Sequence, residues 1–176
     1  MHSSHSIVVR RAEIADKVAL SSLGARTFWE AFIPKIDASD LSDYIATAFS
    51  EARIEEELTA SGCIFLVAER NGQPVGYARL LAEDAPAEVV SLPALHLVRI
   101  YVEQGLIGTG VGALLMAACV DEARRAGSRT LWLRVWEENA SAIRFYERWG
   151  FRKCSTIEFE MLGSMKTDWV MAFDVA

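Results

Sequence analysis

The sequence predicts an α/β domain of the mixed α+β kind, and two patterns lead to that class. In the first half, two apolar runs at residues 64–68 and 75–81 flank the turn pair Asn71-Gly72, as in a β-hairpin. The second half alternates apolar runs of strand length with segments of helical periodicity. At 176 residues with 52% hydrophobic content, the chain is long enough to bury a substantial core as one domain.

The amino-terminal part is predicted to hold one strand and three helices. Apolar residues recur at roughly helical spacing through the helical segments. Pro34 separates the first helix from the second, because proline lacks the N–H that a helix interior needs. The expected elements are a strand over 6–11, a helix over 12–29, a second helix capped by Ser39 or Asp40, and a third that begins at Ser50 and Glu51.

After the hairpin, a loop over residues 83–93 contains two prolines and three acids. The strand predicted over 95–102 is almost wholly apolar, so we expect it to be covered on both faces. The remaining predicted elements are a helix over 110–126, a strand over 130–136, a helix over 140–149 and two strands over 152–161 and 168–175.

The composition excludes several classes of function. A formal net charge of −6 argues against sequence-independent nucleic-acid binding, which depends on basic surface. An acidic protein attracts cationic small molecules instead. No apolar run reaches the ~18 residues that a membrane span needs, so we expect no membrane partner.

Cys63, Cys119 and Cys154 are odd in number and far apart in the sequence. They fit neither a disulfide framework nor a zinc site, so we expect no metal and a reducing compartment. Residues 1–5 lack a basic start and an apolar stretch, which predicts no secretory leader and a cytoplasmic location.

A glycine-rich run, Ile107-Gly108-Thr109-Gly110-Val111-Gly112, separates the apolar strand from the next helix. A strand that ends in such a turn and opens a helix presents backbone N–H groups and a helix dipole to one point, which suits a phosphate or pyrophosphate. The run lacks the Lys-Ser/Thr of a nucleotide phosphate loop and the spacing of a dinucleotide fingerprint. A pyrophosphate of another kind is the remaining ligand, and a simple tight turn is the alternative.

A second block follows at residues 139–151. Asn139 is the predicted N-cap of a helix, and Tyr146 lies two turns along it. The structural alternative is a capping asparagine followed by core aromatics, with Tyr146 as a half-buried ring.

Residues 97–102, the glycine turn, residues 114–116 and the block 139–151 together resemble the GNAT superfamily of N-acetyltransferases. The resemblance covers about residues 7–175 and implies one domain over residues 1–176, with a central, mostly antiparallel mixed sheet of about seven strands flanked by helices. The family pattern Arg/Gln-x-x-Gly-x-Gly/Ala falls on Ile107, Gly110 and Gly112. Ile107 replaces the usual polar residue, but this position works largely through its backbone. We therefore expect weaker or altered pyrophosphate contacts rather than loss of binding.

The resemblance also implies a reaction, in which an acetyl group passes directly from acetyl-CoA, a cosubstrate, to a primary amine. The family pattern Asn-x-x-Ala-x-x-Phe-Tyr is met in full, so Tyr146 is the expected proton donor to the CoA thiolate and Asn139 the residue that holds the pantetheine arm. Backbone N–H groups near Tyr101 and Val102 are expected to stabilise the oxyanion if the two central strands splay apart. The predicted acetyl-CoA contacts are Ile100, Tyr101, Val102, Ile107, Gly108, Thr109, Gly110, Val111, Gly112, Asn139 and Tyr146.

The amine must lose a proton, and His96 is the favoured base because relatives carry a catalytic Glu or His at the matching strand position. A core histidine is the alternative role. Glu137 and Glu138, after the neighbouring strand, are reserve bases.

Within the family, the chain is similar to the bacterial branch that acetylates spermidine and spermine. The residues that carry this narrower similarity are Thr27-Phe28 with Phe32, residues 44–49, Arg99-Ile100-Tyr101, Val135-Trp136-Glu137 and residues 167–171. A polyamine is therefore the first candidate acceptor. The alternatives are a protein N-terminus, a lysine or amino-acid-like amine, and a CoA-binding module without catalysis.

The expected acceptor site combines aromatic and acidic side chains. Phe28, Trp29 and Trp136 are predicted to line it, with Glu137 beside them, and a core position is the alternative for the aromatic residues. In the family the early helices form the acceptor wall, and here they carry seven acids, Asp37, Asp40, Asp43, Glu51, Glu55, Glu56 and Glu57, against Arg53 alone. The alternative is that these charges only face solvent, as is usual on amphipathic helices. The expected partner is thus a small-molecule amine, and exposed sheet edges make a homodimer plausible.

Overall fold

The computed structural model describes residues 6–176, which form a seven-stranded mixed sheet and five α-helices. The prediction made for residues 1–5 lies outside the described residues. The strands are β1 (Ile7–Arg11), β2 (Cys63–Arg70), β3 (Gln73–Leu81), β4 (Ala94–Val102), β5 (Thr130–Trp136), β6 (Arg152–Met161) and β7 (Ser164–Asp174). The helices are α1 (Lys17–Phe32), α2 (Ala38–Ala48), α3 (Glu51–Thr59), α4 (Val111–Arg125) and α5 (Ala140–Arg148).

The strand order is β1-β2-β3-β4-β5-β7-β6. The β1–β2, β5–β7 and β6–β7 pairs are antiparallel, whereas β4 and β5 run parallel. Parallel neighbours need a crossover connection, and α4 supplies it. The predicted fold class is confirmed.

The internal contacts of the chain divide it into two compact units. The first unit contains the described residues up to Arg79 together with Arg99–Cys119. Its core buries apolar side chains of α1, α3, β2 and β3, namely Leu20, Leu23, Ile54, Phe65, Val67 and Tyr77.

The second unit contains Leu80–Val98 and Val120–Ala176. All seven residues of β5 pair with β7, from Thr130 opposite Asp174 to Trp136 opposite Asp168. One of its core clusters joins Val89 of the loop after β3 to Trp132 and Val170 on these strands. That loop is therefore anchored by apolar packing.

Several predicted boundaries are confirmed, and others need correction. Asn71 and Gly72 both have positive φ, 55° and 73°, as the predicted hairpin turn requires. The second helix begins earlier than expected, because the side chain of Asp37, rather than Ser39 or Asp40, accepts the Ser39 N–H and caps it. The first helix extends to Phe32, after a 3₁₀ turn at Ile14–Asp16.

Two strand predictions were also inaccurate. β4 is not covered along its whole length, since only Leu95, His96 and Leu97 are buried and the rest is half-buried. The last strand begins at Ser164 instead of residue 168, because Leu162 and Gly163 form the preceding turn with φ of 51° and 74°. Leucine is uncommon at positive φ, so the residue types did not predict a turn at this position.

Within residues 6–176, none of the helices is both long and apolar enough to cross a bilayer.

Candidate functional site

The glycine turn shapes an open backbone surface at the start of α4. Gly108 and Gly110 have φ of 83° and 98°, and a Cβ built on either of them meets no atom within 4 Å. Positive φ favours glycine, and open space lets a ligand approach the main chain. The first intrahelical bond runs from the Leu114 N–H to the Gly110 carbonyl at 3.0 Å, so the preceding amides are the orphan donors of a helix start. This geometry suits a pyrophosphate.

Two amides of the turn are already engaged. The Ile107 N–H donates to the Gln104 carbonyl at 3.2 Å, and the Thr109 N–H donates to the Leu106 carbonyl at 3.2 Å. The Ile107 side chain is 69% exposed. Position 107 therefore offers a ligand its side chain more readily than its amide, which differs from the expectation that it acts through its backbone.

The end of β4 lies against an aromatic cluster of the first unit. The Tyr101 ring packs edge-on against Tyr77, with 5.5 Å between ring centroids, and also contacts Phe28 and Phe49. Burial raises the pKa of the Tyr101 phenol to about 12, so it is protonated at neutral pH. Phe28 is 7% exposed. It is thus a core residue, which contradicts a role as an open acceptor-site wall, whereas Trp29 is half-buried.

A glycine on β3 sets how closely β4 approaches. A Cβ on Gly76 would lie 2.8 Å from the Tyr101 carbonyl oxygen. Real Cβ atoms do not come that close to backbone, so a side chain at this position would displace the Ile100–Val102 segment that was predicted to contact acetyl-CoA.

Beside this cluster, one buried carboxylate forms ion pairs with several arginines. Glu57 is 3% exposed and accepts two hydrogen bonds from Arg99, at 2.6 and 3.2 Å. Arg79 and Arg53 each lie 3.3 Å from the same carboxylate. Glu57 was predicted as one of the acids of the acceptor wall, and its burial in this ion-pair cluster makes that prediction wrong. The charge of Arg79 inside the apolar run 75–81 was the available sign of a buried ion pair.

Other acids of the predicted acceptor wall are engaged in a helix cap or in ion pairs. Asp37 caps α2, Glu55 pairs with Lys17 at 2.5 Å, and Glu56 pairs with Arg53 at 3.3 Å. Asp37 and Glu56 are exposed as well, and Asp40, Asp43 and Glu51 are the exposed acids of this segment outside these contacts.

His96 lies on β4 in the second unit, where β4 stops pairing with β5. The register runs from Ala94 opposite Thr130 to His96 opposite Trp132, and within the second unit it does not continue to Leu97 or Val98. His96 Nδ1 contacts a carboxylate oxygen of Glu83 in the loop after β3. Its ring stacks on the Trp132 indole, with 3.8 Å between centroids and 8° between planes. His96 is 9% exposed, so it is buried, as the structural alternative expected, but beside a charged partner.

The motif on α5 has a clear local structure. Asn139 is the N-cap, as predicted, because its Oδ1 accepts the Ala142 N–H at 3.3 Å and the Ser141 hydroxyl at 3.1 Å. The half-buried Tyr146 ring packs against Phe145 and Phe151, with centroids 5.5 and 5.7 Å away. Its carbonyl accepts the N–H groups of Trp149 and Phe151, which closes the helix.

The end of β5 brings aromatic and charged side chains together. Trp136 lies opposite Asp168 on β7, and Lys166 Nζ lies 5.2 Å from the centroid of the Trp136 ring. Burial raises the pKa of the Asp168 carboxyl above its ordinary value, although Arg134 lies 3.1 Å from it. Asp168 was not among the predicted site residues. The predicted reserve bases, Glu137 and Glu138, are exposed.

A surface groove of about 490 Å³ lies elsewhere in the first unit and contains none of the predicted site residues; Arg26, Arg70 and Glu103 are among those that line it. In the described part of the chain, no three His, Cys, Asp or Glu side chains are grouped so that they could hold a metal ion.

Known proteins resemble this chain over most of its length. The acetyltransferase (GNAT) family model matches residues 26–151. An uncharacterised N-acetyltransferase of Mycobacterium tuberculosis is 31% identical over 158 residues, which cover 90% of this chain and 97% of that protein. The ribosomal protein bS18-alanine N-acetyltransferase of Salmonella typhimurium is 35% identical over 81 residues, 44% of this chain and 55% of that one.

A solved structure shares the fold. The PaiA N-acetyltransferase from Thermoplasma acidophilum, in complex with coenzyme A, aligns with a TM-score of 0.78 at 19% identity, over 96% of this chain and 99% of that one. The family match spans more than half of the chain, so the protein belongs to the GNAT family and is an N-acetyltransferase that uses acetyl-CoA.

Proposed function

We propose that the protein acetylates a small primary amine by direct attack on acetyl-CoA, with His96 as the general base and Tyr146 as the proton donor to the leaving thiolate. The observation that carries this proposal is the position of His96. It is the last β4 residue paired with β5, and within the second unit the pairing does not continue to Leu97 or Val98. The end of pairing at this point supports the splayed central strands that the family resemblance implies, for which oxyanion donors are expected near Tyr101 and Val102.

A base is needed because the amine nitrogen must lose protons during the reaction. An alkyl ammonium has a pKa near ~10.4, so presenting a neutral amine at pH 7 costs roughly 4–5 kcal/mol. The ammonium first gives one proton to solvent, and His96 accepts a second proton from the nitrogen as that nitrogen bonds to the acetyl carbon. The carbon–sulfur bond breaks, and Tyr146 gives its hydroxyl proton to the sulfur. His96 then loses its proton to solvent, Tyr146 regains one, and the net products are an amide and CoA.

The acetyl donor is expected at the glycine turn, with the diphosphate on the amides of Gly108 and of the first α4 residues. Asn139 Oδ1 is occupied by its own helix, so the side-chain NH₂ is the group that it would offer to the pantetheine arm. Ile107 supplies no charge, and we expect modest affinity as a result.

The acceptor is proposed to be a polyamine such as spermidine or spermine. The net charge of −6 and the exposed carboxylates of Asp40, Asp43 and Glu51 support a cationic acceptor, since a charged surface raises the local concentration of its counter-ions. Trp136 and Glu137 remain candidates for contacts to it.

A protein N-terminus is the second candidate acceptor, and its support is the partial similarity to the bS18-alanine N-acetyltransferase. Thiol release from acetyl-CoA should be measured with spermidine, spermine, single amino acids and an alanine-starting peptide. Release with the polyamines alone supports the first acceptor, and release with the peptide alone supports the second. Binding of acetyl-CoA without release in any case would contradict the catalytic proposal. A His96→Gln variant, tested beside the wild type, should lose most turnover and keep acetyl-CoA binding.

A further inference from the structure

The neighbourhood of His96 holds a second group that the reaction can use. We propose that Glu83 is a positioning residue, which fixes the tautomer and orientation of His96 for proton abstraction. This inference rests on the proposed role of His96 as the base. The groups involved are a carboxylate from a loop, a histidine on β4 and an indole on β5, and all three lie within the second unit.

The contact at Nδ1 decides which ring nitrogen carries the proton. A neutral imidazole has one N–H and one lone pair on its two nitrogens. An ionised carboxylate only accepts hydrogen bonds, so Glu83 places the proton on Nδ1 and leaves Nε2 as the accepting nitrogen. When Nε2 takes the amine proton, the ring becomes positive and the Glu83 carboxylate stabilises it without taking the proton itself.

Trp132 fixes the plane of the same ring. The stacking at 3.8 Å and 8° leaves the imidazole little freedom to tilt. Trp132 also shares an apolar cluster with Val89 of the loop that carries Glu83, and Ala85 of that loop packs against the cluster. Val89 is 3% exposed, so the loop is held where Glu83 reaches the ring. The backbone that carries Glu83 is thus held by a packed core, and the partly exposed side chain reaches the ring from there.

Three other charged side chains on the packed elements have different surroundings. Asp84 and Glu88 lie in the same loop and are exposed. Arg134, two residues after Trp132 on β5, is paired with Asp168 at 3.1 Å. Glu83 is therefore the carboxylate whose removal should change the state of the His96 ring.

The test compares Glu83→Gln with Asp84→Asn, which removes the same charge from the neighbouring loop residue. The Glu83 side chain is 42% exposed, so its amide variant should fold, and a thermal melt checks this. Turnover with the best acceptor is measured together with the KM for acetyl-CoA. In Glu83→Gln, kcat should fall by about ten- to a hundredfold while that KM is unchanged, a loss of the size seen when the carboxylate that orients a metal-bound histidine is removed. Asp84→Asn should keep wild-type turnover.

Nitrogen NMR of ¹⁵N-histidine-labelled protein gives a readout that needs no substrate. The chain has three histidines, and His96→Gln identifies the signal of His96. At a pH where the ring is neutral, wild-type Nδ1 should give the signal of a protonated nitrogen and Nε2 that of an unprotonated one, and Glu83→Gln should change this pattern. An unchanged nitrogen spectrum in Glu83→Gln, or a kcat no lower than that of Asp84→Asn, would overturn the proposal. If no amine is acetylated even by the wild type, the proposed function fails, whereas the spectrum still tests the Glu83–His96 contact.

Discussion

The glycine turn at residues 107–112 and the segment 139–151 both match family motifs, yet they use the chain in different ways. In the turn, Ile107 is exposed and the glycines offer main-chain groups in open space. In the second segment, Asn139 caps a helix, Tyr146 closes it, and Phe151 is 2% exposed in the core. The turn should therefore tolerate a change of side chain but not of backbone, whereas the helix motif combines stability and function in single residues.

Tyr146→Phe should give the largest change. The ring contacts with Phe145 and Phe151 remain, so stability should be nearly unchanged, while the loss of a positioned proton donor lowers kcat by about a hundredfold. Turnover across pH and calorimetric titration with CoA separate the two effects. Wild-type turnover at the pH optimum would make Tyr146 a purely structural residue.

Gly110→Val should disturb the backbone conformation of the turn. A β-branched residue at φ of 98° is strained by on the order of 1–3 kcal/mol, so affinity for acetyl-CoA should fall by about tenfold or more. Isothermal titration measures the Kd. Gly105→Ala is the matched control, since Gly105 also faces open space and has no positive φ. Equal loss in both variants would contradict a specific role for the turn.

Asn139 allows its two roles to be separated. Asn139→Ala should lower the free energy of unfolding by about 1 kcal/mol, because the cap on Ala142 is lost. Asn139→Asp keeps a capping oxygen but removes the NH₂ donors, so it should retain stability and weaken acetyl-CoA binding. Denaturant unfolding and the KM for acetyl-CoA distinguish these results. If Asn139→Asp kept both wild-type stability and the wild-type KM, the cap alone would explain this position.

Ile107→Arg should produce the smallest effect, and it tests whether an added side chain at the turn can improve ligand binding. The position is exposed, so stability should not change, and a cation near a bound diphosphate should lower the Kd for CoA by about two- to fivefold. The gain should shrink in high salt. An unchanged Kd at low salt would mean that this side chain points away from the ligand.

Residues that act through local pattern were predictable, and residues that act through distant partners were not. The bounds of β5 and β6, the turn at Asn71-Gly72 and the cap at Asn139 follow from periodicity and turn chemistry, which depend on near neighbours in the sequence. Glu83 could not be singled out from Asp84 and Glu88, because a loop has no period that reports which way a side chain points.

The acidic segment shows the same limit. Counting charges over residues 37–57 predicted a uniform surface, but the partners of Glu55 and Glu57 come from α1, β3 and β4. The glycine turn lies between these cases, since its conformation was predictable from composition while the internal bonds of Ile107 and Thr109 were not.

Glu57 also bears on the dynamics of the first unit. Its carboxylate forms ion pairs with guanidinium groups from α3, β3 and β4. Detachment of α3 would therefore leave Arg79 and Arg99 without their counter-ion beside apolar strands. A nine-residue helix at a protein surface ordinarily frays, yet here its detachment is coupled to the opening of the sheet. The amide protons of α3 should accordingly exchange with solvent at rates close to those of β3 rather than to those of α2.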